Sequence, residues 1–224
     1  MTLLNKLLTA NRHAKSRLHD EKGNFVGWSR AFQHGGLALF TGVARIGFNY
    51  RPALPWIAYD AIDRFDKRLD AQSRVLEFGS GMSTVWYAAR AGTVTSIEDH
   101  HPWFLKVKEL LKTKRLDNVI YRFAEDIDSY TTVEKMDDGY DLIVIDGSHR
   151  DRCATAAISL VRPGGTIYLD NSDRSGTPNQ ISMTFAEATL REFAREIGAE
   201  VVEITDFAPT QLFVNQGLLI QLPH

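Results

Sequence analysis

From Arg74 onward, short apolar runs alternate with longer stretches whose apolar residues recur at helical spacing. The runs near 74–78, 93–98, 118–123, 140–145, 165–169, 199–205 and 211–221 predict strands. The periodic stretches near 82–91, 102–114, 149–160 and 179–197 predict helices, and the short piece 128–136 fits neither pattern. This alternation implies a mostly parallel sheet with helices on both faces. Leu142, Ile143, Val144 and Ile145 are four branched apolar residues in a row, which suits a strand buried on both sides. Only Ala208-Pro209-Thr210 and their neighbours separate the last two strands. That is too little chain for a parallel crossover, so this pair is expected to be antiparallel.

Residues 1–70 read as a helical extension to a main domain at 71–224. Leu3, Leu4, Leu7 and Leu8 have helical spacing, and Arg12, Lys15 and Arg17 follow. A basic amphipathic helix can lie on a membrane surface. Docking on its own domain or on a second subunit is the favoured expectation here, and a homodimer is one form of it. Lys22–Trp28 reads as a loop. Phe32–Phe48 is apolar but carries Gly35, Gly36, Gly42 and Gly47, which predicts a broken helix set as a lid over the mouth of the site. Pro55 opens a better helix, with Ile57, Ala58, Ala61, Ile62, Phe65 and Leu69 on one face.

A length of 224 residues suits one α/β domain with an additional segment. The net charge of −2 and the lack of a long basic run disfavour a dedicated nucleic-acid binder. No apolar stretch reaches the length of a membrane span, and Met1–Ala10 has no convincing signal cleavage site. The one cysteine, Cys153, cannot close an internal disulfide and reads as a small packing residue. These features are compatible with a cytoplasmic protein.

Candidate chemistry begins at Arg74–Gly81, R-V-L-E-F-G-S-G, a strand followed by an acid and a two-glycine turn into a helix. Glycine is required where backbone passes close to a ligand, and the helix start near Met82 points free N–H groups into the same crevice. A dinucleotide fingerprint needs a third small residue for helix–strand packing, and Thr84 stands there instead. Acid-x-Gly-x-Gly at Glu77, Gly79 and Gly81 resembles motif I of the class I S-adenosylmethionine-dependent methyltransferases. The antiparallel closing hairpin resembles that family's sheet and not the two-halved dinucleotide fold. The resemblance spans roughly 74–221. It implies an α/β, Rossmann-like fold with a seven-stranded, mostly parallel sheet and a C-terminal antiparallel hairpin.

By that resemblance Glu77 lies near the cofactor's amino group. Glu98, about 20 residues beyond it at the tip of the second strand, is placed to accept from ribose hydroxyls. Asp126, with Glu125 beside it, is the candidate for the adenine amino group. Ser80, Ser83, Asp99 and Asp146 complete the expected cofactor-binding set. His100 and His101 are expected to border the adenosine, and Trp103 either stacks on adenine or packs elsewhere.

Asp146 ends the fourth predicted strand, and Asp170-Asn171 ends the fifth, so both meet at the carboxyl rim where open α/β sheets bind ligands. Three hard oxygen donors, Asp146, Asp170 and Asn171, suit Mg²⁺, Ca²⁺ or Mn²⁺ better than zinc. The trio resembles the metal site of the caffeoyl-CoA and catechol O-methyltransferases, and D-G-x-H at 146–149 resembles the Mg²⁺-using sugar O-methyltransferases. Local turn capping is the plain alternative for Asp170–Asp173. His149, three residues past Asp146, is the expected general base. Arg150, Arg152 and Arg174 are candidates for an anionic substrate or are simply solvated.

The expected protein is therefore a methyltransferase acting on oxygen of a small molecule, with S-adenosyl-L-methionine and, in one version, Mg²⁺. N-methylation, aminopropyl transfer on the same fold and a non-catalytic cofactor-binding module are the rivals. Residues 1–55 and the Ser172–Gln180 loop are expected to shape the acceptor pocket, whose occupant the sequence does not name.

Overall fold

The computed structural model of the chain describes residues 14–134, 139–176 and 180–224. The stripe from Leu3 to Leu8, part of 128–136 and the middle of the Ser172–Gln180 loop lie outside them. Helices α1 (Trp28–Phe48) and α2 (Tyr59–Asp66) precede the sheet. Then come β1 (Arg74–Phe78), α3 (Met82–Ala88), β2 (Thr93–Glu98), α4 (His101–Thr113), β3 (Val119–Phe123) and α5 (Ile127–Thr131). The chain continues through β4 (Tyr140–Ile145), α6 (Arg150–Leu160), β5 (Val161–Leu169), a 3₁₀ turn (Ser172–Arg174), α7 (Ile181–Ile197), β6 (Glu200–Phe207) and β7 (Val214–Gln221).

The seven strands form one sheet in the order β3-β2-β1-β4-β5-β7-β6. Strands β1 to β5 are parallel, and β7 runs antiparallel between β5 and β6, as the short final connection requires. Adjacent residues feed opposite faces. Val75, Leu142 and Val144 pack with α1, α2 and α3 on one side. Leu76, Phe78, Ile143 and Ile145 pack with α6 and α7 on the other. Double-sided burial explains the continuous apolar runs in the sequence. Cys153 is free and fully buried in the second layer, where burial pushes its thiol pKa up.

The strands lie close to expectation, and the departures have physical causes. Strand β5 begins at Val161, straight after α6 and ahead of the expected strand near 165–169; a register shift against β4 between Tyr140 and Leu142 absorbs the added residues. Helix α1 is continuous over 21 residues despite its four glycines. Tertiary contact overrides the weak propensity: His34, Ala38, Thr41 and Gly42 form its buried face, and a Cβ on Gly42 would come 2.7 Å from Leu212 Cδ2. The helix packs mainly on β6, so it is a buttress for most of its length, and only its C-terminal end approaches the glycine turn. Its outer face leaves Trp28, Phe32, Phe40 and Phe48 exposed.

Helix α2 starts at Tyr59, four residues after Pro55. Its N-terminal cap is supplied from β6, where Asp206 Oδ2 accepts from Asp60 N at 3.0 Å. The same carboxylate, fully buried, bonds His34 Nδ1 at 2.6 Å, and Asp63 lies 3.8 Å from the other ring nitrogen. One aspartate thus ties both helices of the extension to the sheet edge. Burial opposes protonation of His34, but the hydrogen bond and charge of Asp206, with the charges of Asp63 and Asp60, outweigh it and raise the pKa above 6.5. A histidine raised in this way stabilises the fold fully below its unfolded pKa and loses that contribution as pH rises through the folded value.

His34→Ala is expected to cost about 2 kcal/mol below roughly pH 6, the scale of a hydrogen bond to a charged group. The difference from wild type should shrink as pH rises. Urea unfolding of both proteins from about pH 5.5 to 8.5 measures this; a difference constant across the range would mean that folding leaves the His34 pKa unchanged, and one that grows with pH that the fold keeps His34 neutral.

Candidate active site

The carboxyl ends of β1, β2 and β4 converge on a cavity lined by Trp56, Ser80, Gly81, Met82, Ser83, Trp103 and Asp146. Its enclosed volume is about 70 Å³, below the roughly 300–1,000 Å³ of a complete small-molecule site, so it is one end of a larger open crevice.

The two glycines of the turn serve different purposes. Gly79 has φ +94°, and a Cβ there would lie 2.7 Å from the Cα and N of Gly147. The turns leaving β1 and β4 therefore touch backbone to backbone. A Cβ on Gly147 would meet Tyr130 Oη at 2.0 Å and Gly79 at 2.9 Å. Close approach of loop to loop, not of backbone to ligand, explains Gly79. Gly81 faces the cavity, where an added Cβ would meet only Ser83 Oγ at 3.7 Å and Trp103 Cζ2 at 3.9 Å.

Glu77 is 1% exposed and lies behind Ser83 instead of on the cavity wall. It accepts from the hydroxyls of Ser83, Thr84 (2.6 Å) and Ser96 (2.8 Å). Burial lifts its pKa to about 7; the three hydroxyls pull it down only in part, and the charge of Asp146 adds to the rise. Thr84 also accepts from Gly81 N at 3.0 Å, fixing the start of α3. That dual role explains threonine where a dinucleotide fold needs a small packing residue.

Glu98 is likewise committed to the turn. Its Oε2 accepts from Ser80 N (3.1 Å) and Ser80 Oγ (2.7 Å), and its Oε1 from His100 N (2.9 Å). Tyr121 Oη joins Ser80 Oγ at 2.8 Å, and Trp103 Nε1 donates to Ser80 O at 2.8 Å. Asp99, half-buried beside Glu98, makes no hydrogen bond among the described residues. Asp126 is exposed and caps α5, accepting from Ser129 N at 2.7 Å; the Ser129 bonds hold its carboxyl below the usual range. His100 is the exposed N-cap of α4, and His101 packs its ring against Phe104 and Phe123.

Asp146 and Asp170 come together at the rim, with Arg150 bonding Asp146 Oδ1 and Asp170 O. Burial raises both pKa values, and for Asp170 the neighbouring Asp146 charge adds to it. Neighbouring carboxylates disfavour double ionisation, and the rise is the stronger at the more deeply buried Asp170. Asp170 Oδ1 is bonded by Tyr168 Oη at 3.2 Å, and its Oδ2 accepts from Asn171 Nδ2. Arg150 turns inward, donating to Gly147 O (3.0 Å), Asp146 O (3.0 Å), Asp146 Oδ1 (3.2 Å) and Asp170 O. It is thus a clamp between loops, not a free substrate contact. Arg152 is exposed and Arg174 half-buried. Among the described residues, no group of three His, Cys, Asp or Glu could hold a metal ion.

His149 is not brought to the cavity. It is exposed, caps α6 in the left-handed region (φ 48°, ψ 44°) and sets its ring 6.0 Å from Tyr130. Conversely, Ser96, Tyr121 and Trp56 carried no functional signal in the sequence, and Thr84 showed only as the residue that breaks the dinucleotide fingerprint.

Gly79→Ala is expected to combine the strain of positive φ, about 1–3 kcal/mol, with the backbone clash. The melting temperature should fall by roughly 2–4 °C per kcal/mol, and S-adenosylhomocysteine affinity by at least about tenfold, each 1.4 kcal/mol being a factor of ten. Calorimetry reads both; unchanged stability and affinity would show that the turns do not need their close contact.

Residues 76–172 match the family described as "Methyltransferase domain". No curated protein matches the chain in sequence. Among solved structures, the chain is similar to the O-methyltransferase TomG of Streptomyces achromogenes, involved in tomaymycin synthesis and solved with S-adenosylmethionine (TM-score 0.58, 15% identity, 89% of this chain and 97% of that one). It is also similar to the tRNA (m1A58) methyltransferase TrmI of Aquifex aeolicus (TM-score 0.53, 18% identity, 81% and 75%). Trm5b of Pyrococcus abyssi matches over 74% of this chain at TM-score 0.51 and 19% identity, and the match spans 48% of that longer protein. These likenesses share a fold across different acceptors. No described helix is long and apolar enough to cross a membrane. Residues 76–172 thus match a methyltransferase-domain family, and the chain shares the Rossmann-like fold of the solved S-adenosylmethionine-dependent methyltransferases.

Proposed function

We propose that the chain transfers the methyl group of S-adenosylmethionine to an oxygen of a small acceptor. The observation that carries this reading is the position of Asp146, an ionisable group on the wall shared with Gly81, Met82 and Ser83. The residues present fit the cofactor: Gly81 leaves space that a Cβ would fill, and Ser83 and Trp103 complete that wall. Asp99, with a carboxylate free of hydrogen bonds among the described residues, is better placed than Glu98 for ribose hydroxyls. Asp126 keeps one oxygen outside its capping bond for adenine.

When bound, the cofactor supplies a methyl group already activated by its sulfonium. The protein's task is then to hold the acceptor in line, a large proximity effect, and to take its proton. Asp146 is the residue for the second task. In this reading Asp170, whose pKa is raised well above the ordinary carboxyl value by burial and by the Asp146 charge, holds a proton, and Asp146 is ionised to accept one from a hydroxyl. His149 would need the loop after β4 to turn inward. Asp146, Asp170 and Asn171 do not fit a divalent ion in this arrangement, because Arg150, Tyr168 and the trio's own bonds engage their donors. A small acceptor is favoured over nucleic acid by the net charge of −2 and the absence of a basic run.

The test is titration of S-adenosylhomocysteine and NAD⁺, followed by methyl transfer to hydroxylated small molecules, amines and bulk tRNA, with EDTA or Mg²⁺. Binding of the first ligand only and methylation of a hydroxyl support the proposal. Asp146→Asn should lower kcat by about 10² or more while S-adenosylhomocysteine affinity changes little. Failure to bind S-adenosylhomocysteine would sink the methyltransferase reading. Methylation of tRNA alone would overturn the acceptor class, and loss of activity in EDTA restored by Mg²⁺ would reinstate the metal.

A further inference from the structure

The rim of the cavity carries positive charge that the protein itself leaves unbalanced. Helix α1 ends in a left-handed Asn49, whose N–H returns to Arg45 O, and this reversal swings Arg51 back over the site. The Arg51 guanidinium lies 5.5 Å from the ring centre of Trp56 and 5.6 Å from that of Trp103. Arg45 lies over the same Trp56 ring at 4.6 Å. Both tryptophans line the cavity beside Gly81, Ser83 and Asp146.

Elsewhere Arg30, Arg90, Arg150, Arg162 and Arg191 each pair with a carboxylate. Neither Arg45 nor Arg51 has one within ion-pair distance among the described residues. The Arg45 guanidinium makes one long hydrogen bond, 3.4 Å to Thr210 Oγ1. Burial and the charge of Arg51 both lower the pKa of Arg45, so the two cations feel each other without a counter-charge. The indole N–H of Trp56 is buried and has no hydrogen-bond partner in the same cluster. Two guanidiniums held on aromatic faces, beside an unpaired N–H, form a site for a carboxylate or phosphate.

We infer that Arg45 and Arg51, seated on Trp56 and Trp103, bind an anionic group at the mouth of the cavity, and that the methyl acceptor is a hydroxylated carboxylate or phosphate. This rests on the methyltransferase reading above. A cationic rim and a carboxylate wall then orient one molecule, its anion at the arginines and its hydroxyl toward Asp146. The cofactor's own carboxylate has the same chemistry, and the experiment separates the two sources.

Wild type, Arg45→Gln and Arg51→Gln are titrated with S-adenosylhomocysteine and with 5′-methylthioadenosine, which lacks the carboxylate. Each protein, saturated with S-adenosylhomocysteine, is then titrated with benzoate, its neutral isostere benzamide and inorganic phosphate. The expected result is that benzoate or phosphate binds wild type in preference to benzamide. Either substitution should weaken that binding at least about tenfold while S-adenosylhomocysteine affinity is retained. A tenfold loss for S-adenosylhomocysteine but not for 5′-methylthioadenosine would keep the anion site, move its source to the cofactor and overturn the acceptor assignment. Retained S-adenosylhomocysteine binding with no arginine-dependent effect on any anion would overturn the inference and leave the methyltransferase reading standing. A wild type that binds no S-adenosylhomocysteine would instead remove the reading on which it rests.

Discussion

The contact between Gly79 and Gly147 is the constraint from which the rest of the site follows. Strand order reverses at β1 and β4: β2 lies outside one and β5 outside the other. The helices that follow these two strands therefore leave toward opposite faces, and a crevice opens between their turns. With nothing but hydrogen on either Cα, the turns close to backbone contact at the bottom of that crevice. Ser80 is then held between Glu98, Tyr121 and Trp103, and Gly81 is presented to the cavity. A side chain at either glycine would separate the turns and loosen this set of bonds together.

Much of this was legible in the sequence because burial on both faces writes a strand as an uninterrupted apolar run. Leu142–Ile145 is such a run, Val75–Phe78 is one broken only by Glu77, and the short final connection implied the antiparallel pair. What escaped was contributed by distant residues. The start of α2 depends on Asp206, and the continuity of α1 on Leu212 and Phe207. The acids of the site were visible as acids, but their commitments were not. Glu77 is enclosed by three hydroxyls from α3 and β2, and Glu98, expected to accept from ribose hydroxyls, is bonded to the glycine turn. His149 shows the limit most plainly. Three residues from Asp146 in sequence, it leaves the site because its own backbone takes the left-handed conformation that starts α6.

The treatment of charge divides the site into a neutralised floor and an open rim. The charge of Asp146 disfavours ionisation of the buried Asp170, and Arg150 threads between their loops with bonds to three carbonyls and one carboxylate oxygen. A half-buried arginine so held is costly to move, since each carbonyl it leaves would need another donor. This geometry gives the floor its counter-charge from within the chain. Arg45 and Arg51 receive no such partner at the rim. Uncompensated charge near a low-dielectric cleft projects its field outward and acts on a ligand before contact. Positive rim and acidic wall therefore define a direction along the crevice, and an acceptor carrying one anion and one hydroxyl has a single favourable way to lie in it.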